Sequence, residues 1–183
     1  MSQNLPLIMK HGSPDDFQTP PIALSPLLPF IHKDWIVWET ACGSGNLVKE
    51  LVYQGYKVDK GDIKIGKDYF TYEPKKWDCS ITNPPFSKKN EWIKRTYDLG
   101  KPFALLLPLA ALETQTRQRQ WKKGLQLIVL DKRLHFETPN HAESHCWFAS
   151  AWFTNGLNLP KDIMFSELKE LNQLELPRGS VYA

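Results

Sequence analysis

The sequence predicts an α/β fold with a mostly parallel, doubly wound sheet. Three observations predict it. Short apolar, β-branched runs recur from Trp35 onward, amphipathic helical segments separate them, and turn-forming residues close most of the runs. A last run, Cys146 to Thr154, follows its predecessor through a loop instead of a helix and is expected as a late antiparallel strand.

The elements follow in order. The first thirty residues carry Pro6, Pro14, Pro20, Pro21, Pro26 and Pro29, so they read as an extended arm with turns, plus one short helix near Ile22 to Ile31 kinked at its prolines. Trp35 to Trp38 is a buried strand. Asn46 to Gln54 places Leu47 and Leu51 at helical spacing, with Gly55 after the end. Tyr56 to Asp59 is the second strand and Trp77 to Thr82 the third. Ser87 to Leu99 is a helix with Ser87 as N-cap and Gly100 beyond it. Phe103 to Leu107, a polar helix from Glu113 to Lys123, and Leu125 to Leu130 complete the alternation. A C-terminal amphipathic helix near Phe165 to Leu174 would cover a sheet edge or mediate dimerisation.

At 183 residues the chain is read as one domain: an arm over 1–31, a core over 32–158 and an extension over 159–183. Such a length buries enough surface to fold without a metal or disulfide. Hydrophobic residues make up 42% and charged residues 23%, which excludes a disordered chain. No apolar run approaches the roughly 20 residues that span a bilayer, and the N-terminus lacks the layout of a signal peptide. Three scattered cysteines argue against a disulfide framework, so a cytoplasmic, intracellular setting is expected.

The net charge is only +3, yet Lys88 to Arg133 holds eleven Lys/Arg against four Asp/Glu, a local +7. That segment is either a phosphate-facing surface or a set of solvated helix faces. The candidates for phosphate contact are Lys88 and Lys89 beside one turn, and Arg117, Arg119, Lys122 and Lys123 on the polar helix. His135, His141, His145 and Cys146 match no zinc spacing, and no metal is expected; a structural or substrate-loop role fits them better.

In a doubly wound sheet, ligands sit beyond the carboxyl ends of the strands, at the switch in strand order. Three motifs fall there. Glu39 to Asn46 (ETACGSGN) joins the first strand to the first helix, and Gly43 and Gly45 allow a tight turn and a close backbone approach to a ligand. By itself it is also compatible with a plain strand-to-helix turn. An acid should end the second strand: Asp62 stands 17 residues past Gly45, with Asp59 as its competitor. Third, Asn83-Pro84-Pro85-Phe86 follows the third strand. Its prolines fix the turn and donate nothing, Asn83 offers an amide acceptor, and Phe86 offers a stacking face.

Together these segments resemble the amino-group methyltransferases that use S-adenosylmethionine, in particular small adenine-N6 DNA methyltransferases of the phage or orphan type. Asn83 to Phe86 matches their Asn/Asp/Ser-Pro-Pro-aromatic signature, and the cofactor-before-catalytic order is similar to their gamma arrangement. The resemblance implies a Rossmann-like class I methyltransferase fold and a cofactor held by Phe17, Thr19 and Pro20 of the arm, by Glu39, Ala41, Gly43, Gly45 and Asn46, by Asp62 and Ile63, by Asp68 and Tyr69, and by Asn83. Asp62 would take the ribose, and the Asp68-Tyr69-Phe70 segment the adenine. It also implies DNA as partner, S-adenosylhomocysteine as product, and a monomer or homodimer. The long recognition insert of larger family members is missing here.

The activity implied is methyl transfer to the exocyclic N6 of adenine by direct attack of a flipped-out base. Asn83 and the Pro84 carbonyl would accept the amine protons, with Pro85 fixing the turn and Phe86 stacking on the base. Two other readings stay open: N-methylation of an RNA adenine or a protein glutamine amide, and a non-catalytic nucleic-acid-binding module on the same fold.

Overall fold

The computed structural model describes residues 15, 17–137, 143–145 and 148–171, the third group by backbone alone. Its centre is a seven-stranded sheet formed by β1 (Ile36–Glu39), β2 (Lys57–Lys60), β3 (Cys79–Thr82), β4 (Phe103–Pro108), β5 (Gln126–Leu130), β8 (Ser150–Asn155) and β9 (Ile163–Ser166). The spatial order is β2-β1-β3-β4-β8-β5-β9. Every neighbouring pair is parallel except those made by β8, which runs antiparallel to both β4 and β5. The late antiparallel strand is therefore present, inserted between two parallel ones. A separate hairpin pairs β6 (His135–Glu137) with β7 (Glu143–His145).

Side chains alternate across the sheet and build two apolar layers, as a sheet covered on both faces requires. Val37, Ile81, Ala104, Leu106, Ile128 and Trp152 face one layer, closed by Leu47 and Leu51 of α1 (Asn46–Tyr53) and by Ala23, Leu24 and Leu27 of the arm. Trp38, Phe103, Leu105, Leu107, Leu127 and Phe153 face the other. It is closed by Trp92 and Ile93 of α2 (Lys89–Asp98) and by Trp121 of α3 (Gln115–Trp121). Five of the seven tryptophans are core residues: Trp38, Trp77, Trp92, Trp121 and Trp152.

Several expected elements differ. The helix expected at Ile22 to Ile31 is two 3-10 turns, Pro21–Leu24 and Leu28–Phe30, because the prolines in this stretch remove the N–H groups a continuous helix needs. Ser87 is not an N-cap. Its N–H and hydroxyl are both given to the Asp15 carboxylate, and a 3-10 turn, Phe86–Lys88, precedes α2. The C-terminal segment opens as strand β9, parallel to β5, where a helix is expected. Residues 163–168 alternate between exposed and more buried positions with a period of two, not 3.6. The remainder of that expected helix, 172–174, and the first residues of the expected Cys146 strand lie outside the described residues.

Candidate active site

The chain passes from β1 outward to β2 and then returns to the other side of β1 as β3, so strand order switches between β1 and β3. Beyond the carboxyl ends of these strands lies a pocket of about 250 Å³. The strand ends deliver its polar groups. Glu39 closes β1, Asp62 follows β2 by two residues, and Asn83 follows Thr82, the last residue of β3.

Glu39 is 1% exposed. Its Oε1 accepts the Thr82 hydroxyl at 2.5 Å and the Ala41 N–H at 3.2 Å, whereas Oε2 is buried with no partner among the described residues. Burial pushes its carboxyl up to about 8; the two donated hydrogen bonds offset part of this, and the nearby Asp62 charge adds to it. Asn83 Oδ1 is likewise a buried acceptor without a partner. Buried polar atoms are rarely left so, and two of them at one pocket mark positions that a ligand would satisfy.

The glycine turn is shaped from both sides. Gly43 has φ +50° and Gly45, which caps α1, has φ +84°. The Gly43 N–H donates to Asp62 Oδ2 at 2.9 Å, and Asp62 Oδ1 accepts the Lys64 N–H at 2.8 Å. Asp62 thus clasps the turn and still has an open lone pair on each oxygen. Asp59 points elsewhere, paired with Lys67 at 3.0 Å. Over the turn passes the arm. Gln18 Oε1 accepts the Ser44 N–H at 2.7 Å, and its backbone makes a two-bond bridge to Glu137 of β6. Asp15 then ties the arm to Ser87, past the Asn83 turn.

Most of the residues expected at the cofactor line this pocket: Phe17 and Thr19; Glu39, Ala41, Gly43 and Asn46; Asp62 and Ile63; Asp68 and Tyr69; and Asn83. Pro85 and Lys88 border it as well. Pro20, Gly45, Pro84, Phe86 and Lys89 do not. Pro20 starts a 3-10 turn, Pro84 is buried behind Asn83, and Lys89 turns back to donate to the Phe86 carbonyl at 3.1 Å. Tyr69 is mostly a core residue: its ring stacks on Trp92 at 4.3 Å and its hydroxyl bonds Thr96 at 2.8 Å. The aromatic surface at the pocket comes from half-buried Phe70, one position on.

Sequence reasoning missed Gln18, Asp15 and Phe148. The Phe86 ring meets Phe148 edge-on, centroids 5.6 Å apart, and Phe148 in turn approaches Phe136. Phe148 follows a poorly patterned loop, and nothing in its spacing signals the contact. Gln18 sits between Phe17 and Thr19, two arm residues expected at the cofactor, and that placement was its available signal.

The basic segment is less available than its charge suggests. Arg117 is 8% exposed, and its guanidinium donates to the Ala111 carbonyl (2.9 Å), Asn90 Oδ1 (3.0 Å) and the Ala110 carbonyl (3.3 Å). It holds α3 to the turn after β4, with its guanidinium committed to partners within the protein. Lys122 and Lys123 are exposed but precede Gly124, just before the amino end of β5, at the end of the strands opposite Asn83. Arg119 is exposed on α3, and Lys88 remains exposed at the pocket. Among the described residues, no group of three or more His, Cys, Asp or Glu is placed to hold a metal, and no helix is long and apolar enough to cross a membrane.

No protein-family model and no curated protein matches the chain. Solved structures do. One is assigned as a class I S-adenosylmethionine-dependent methyltransferase from Listeria monocytogenes, with TM-score 0.53 and 16% identity over 87% of this chain and 68% of that one. The second is a type I restriction-modification system methyltransferase subunit from Streptococcus thermophilus, with TM-score 0.52 and 13% identity over 83% of this chain and 47% of that one. The third is a modification subunit assigned to a type I restriction enzyme from Vibrio vulnificus, with TM-score 0.51 and 12% identity over 78% of this chain and 45% of that one. The chain spans about two thirds of the first neighbour and less than half of the other two. Its fold is the Rossmann-like fold of the class I methyltransferases.

Proposed function

We propose that this chain is an S-adenosylmethionine-dependent methyltransferase that modifies the exocyclic N6 of adenine in DNA. One observation carries the reading: the buried, unpartnered Oδ1 of Asn83, in a turn stiffened by Pro84 and Pro85, beside a pocket edged by Glu39, Gly43 and Asp62. Two of the similar structures belong, by description, to type I restriction systems, which supports DNA as the substrate.

The residues present fit the cofactor. The unmatched Oε2 of Glu39 suits a cationic group, whose charge would favour release of the carboxyl proton, the open lone pairs of Asp62 suit ribose hydroxyls, and Asp68 with Phe70 suits an adenine ring. Thr19 and the turn at Gly43 suit the methionine end. When bound, S-adenosylmethionine supplies an electrophilic sulfonium methyl. The protein's part is positioning and charge. The lone pair of an adenine amine is delocalised into the ring, so it is a weak nucleophile. Asn83 Oδ1 accepts one amine proton and the Pro84 carbonyl the other, which draws the nitrogen toward tetrahedral geometry and localises its lone pair. Phe86 stacks on the base, and Phe148 walls the same space. In a duplex, the base leaves the stack first, at a cost of a few kcal/mol. Lys88 and Arg119, both exposed, are the basic residues we assign to the DNA backbone. No covalent enzyme intermediate is needed, and burial beside Glu39 pushes the Cys42 thiol up to about 11, which makes it a poor nucleophile.

The test is incubation with labelled S-adenosylmethionine and, separately, unmethylated DNA, RNA and cell-extract protein. Label in DNA supports the proposal; label confined to RNA or protein overturns the choice of substrate.

A further inference from the structure

Strand β9 ends the sheet, and its outer edge has no partner among the described residues. It is apolar on its open face. Phe165 is 82% exposed and Ile163 53%, and Phe165 lies in register with half-buried Val129 of β5, so the open face continues a core layer. Soluble proteins blunt sheet edges with Lys, Pro, bulges or a covering segment, because an open edge is a template for pairing. Ile163–Ser166 (IMFS) has none of these within it.

We propose that two copies of this chain pair antiparallel along β9, across a two-fold axis at Met164, to form one continuous sheet. Backbone direction limits the registers. Leu127 N–H donates to the Asp162 carbonyl and Asp131 N–H to the Ser166 carbonyl. Even-numbered residues therefore point their hydrogen-bonding groups at β5, and Ile163 and Phe165 point theirs outward. Only registers that set odd residues against odd residues satisfy both edges.

Side chains choose among these. Ile163 and Phe165 stand on the open face, and the exposed Lys161 and Glu167 flank β9 at the same odd-numbered positions, which carry on to that face if the strand pairing extends by one residue at each end. Pairing Phe165 with Phe165 of the second copy sets Ile163 against Glu167 and Lys161 against Lys169. Pairing Ile163 with Ile163 sets Lys161 against Phe165. Pairing Ile163 with Phe165 sets Lys161 against Glu167, and the two-fold repeats each match. That register gives two aromatic–aliphatic pairs and two opposite-charge pairs, the combinations that stabilise a sheet. The contact is isologous and closes on itself as a dimer. It does not depend on the reaction proposed above.

The test is the mass of the full chain in solution by light scattering across a dilution series, with circular dichroism and thermal unfolding as fold controls. The wild type should give twice the 21.2 kDa monomer mass, declining on dilution. Phe165→Lys should be monomeric with an unchanged fold. Glu167→Lys should weaken the dimer about tenfold, because both charge pairs become repulsive. Adding Lys161→Glu to it should restore the dimer. A wild type that stays monomeric at every concentration, a dimer indifferent to Phe165→Lys and Glu167→Lys, or a double variant that fails to recover would each overturn the proposal.

Discussion

The Thr82 hydroxyl donates to Glu39 Oε1 across 2.5 Å, joining the end of β3 to the end of β1. Thr82 immediately precedes Asn83, and Glu39 immediately precedes the glycine turn. One buried hydrogen bond therefore sets the spacing between the turn we assign to the cofactor and the turn we assign to the target base. Each side keeps one buried polar atom unmatched, Glu39 Oε2 and Asn83 Oδ1.

The ligand-free protein should become less stable relative to Glu39→Gln as pH rises. Glu39 has its folded pKa raised from 4.5 to about 8, so the folded state holds a proton that the unfolded state has released. Its contribution is fully present below 4.5 and is lost as pH climbs to about 8, on the order of a few kcal/mol in all. Urea unfolding of both proteins across that window checks this. Parallel stability curves would show that Glu39 does not hold a proton there.

Asp62→Ala should weaken S-adenosylmethionine binding at least about tenfold, near 1.4 kcal/mol. Asp59→Ala should leave it unchanged, because Asp59 is committed to Lys67. Calorimetric titration of the two variants decides between them, and the opposite ranking would refute the assignment of Asp62.

Gly43→Ala should reduce cofactor affinity more than Gln18→Ala does. A Cβ at position 43 would meet Gln18 Oε1 at 2.5 Å, so Gln18 would have to release Ser44, and φ +50° costs a non-glycine residue about 1–2 kcal/mol. The double variant should recover part of the loss by removing the clash. Equal affinity in all three would show that the arm does not shape the site.

Arg117→Ala should lower the melting temperature by several degrees without changing the salt dependence of DNA binding. It removes a buried guanidinium that supports Ala110, Ala111 and Asn90. Lys88→Ala should do the reverse and reduce the salt slope by about one. Affinities measured between low and high salt separate the two. A shallower slope for Arg117→Ala would return that residue to the DNA surface.

The strand ends were legible because their motifs combine backbone and side-chain requirements. Glycines mark the turn at 43–45 and prolines mark the turn after Asn83; the choice of Asp62 over Asp59 came from the resemblance, since spacing alone left both open. Strands β1 to β5 could be read from short β-branched runs. What escaped depends on distance in sequence. Gln18 reaches Ser44 across 26 residues and Asp15 reaches Ser87 across 72, and no local pattern encodes such pairs. The 3-10 turns at 21–30 and the strand at 163–166 were misread for a different reason. Apolar residues at those spacings suit helix and strand alike until prolines or neighbours decide. Charge misled most of all. Arg117 looks like its neighbours in sequence, and only burial separates it from them.

The central claim is that Asn83 serves an adenine amine beside a bound methyl donor. Its most direct test is nucleoside analysis of DNA treated with the wild type and with Asn83→Ala, alongside calorimetry of S-adenosylmethionine binding to each. We predict N6-methyladenine from the wild type, none above background from Asn83→Ala, and comparable cofactor affinity in both. Undiminished N6-methyladenine from Asn83→Ala, or a wild type that binds the cofactor and leaves DNA unmodified, would contradict the account.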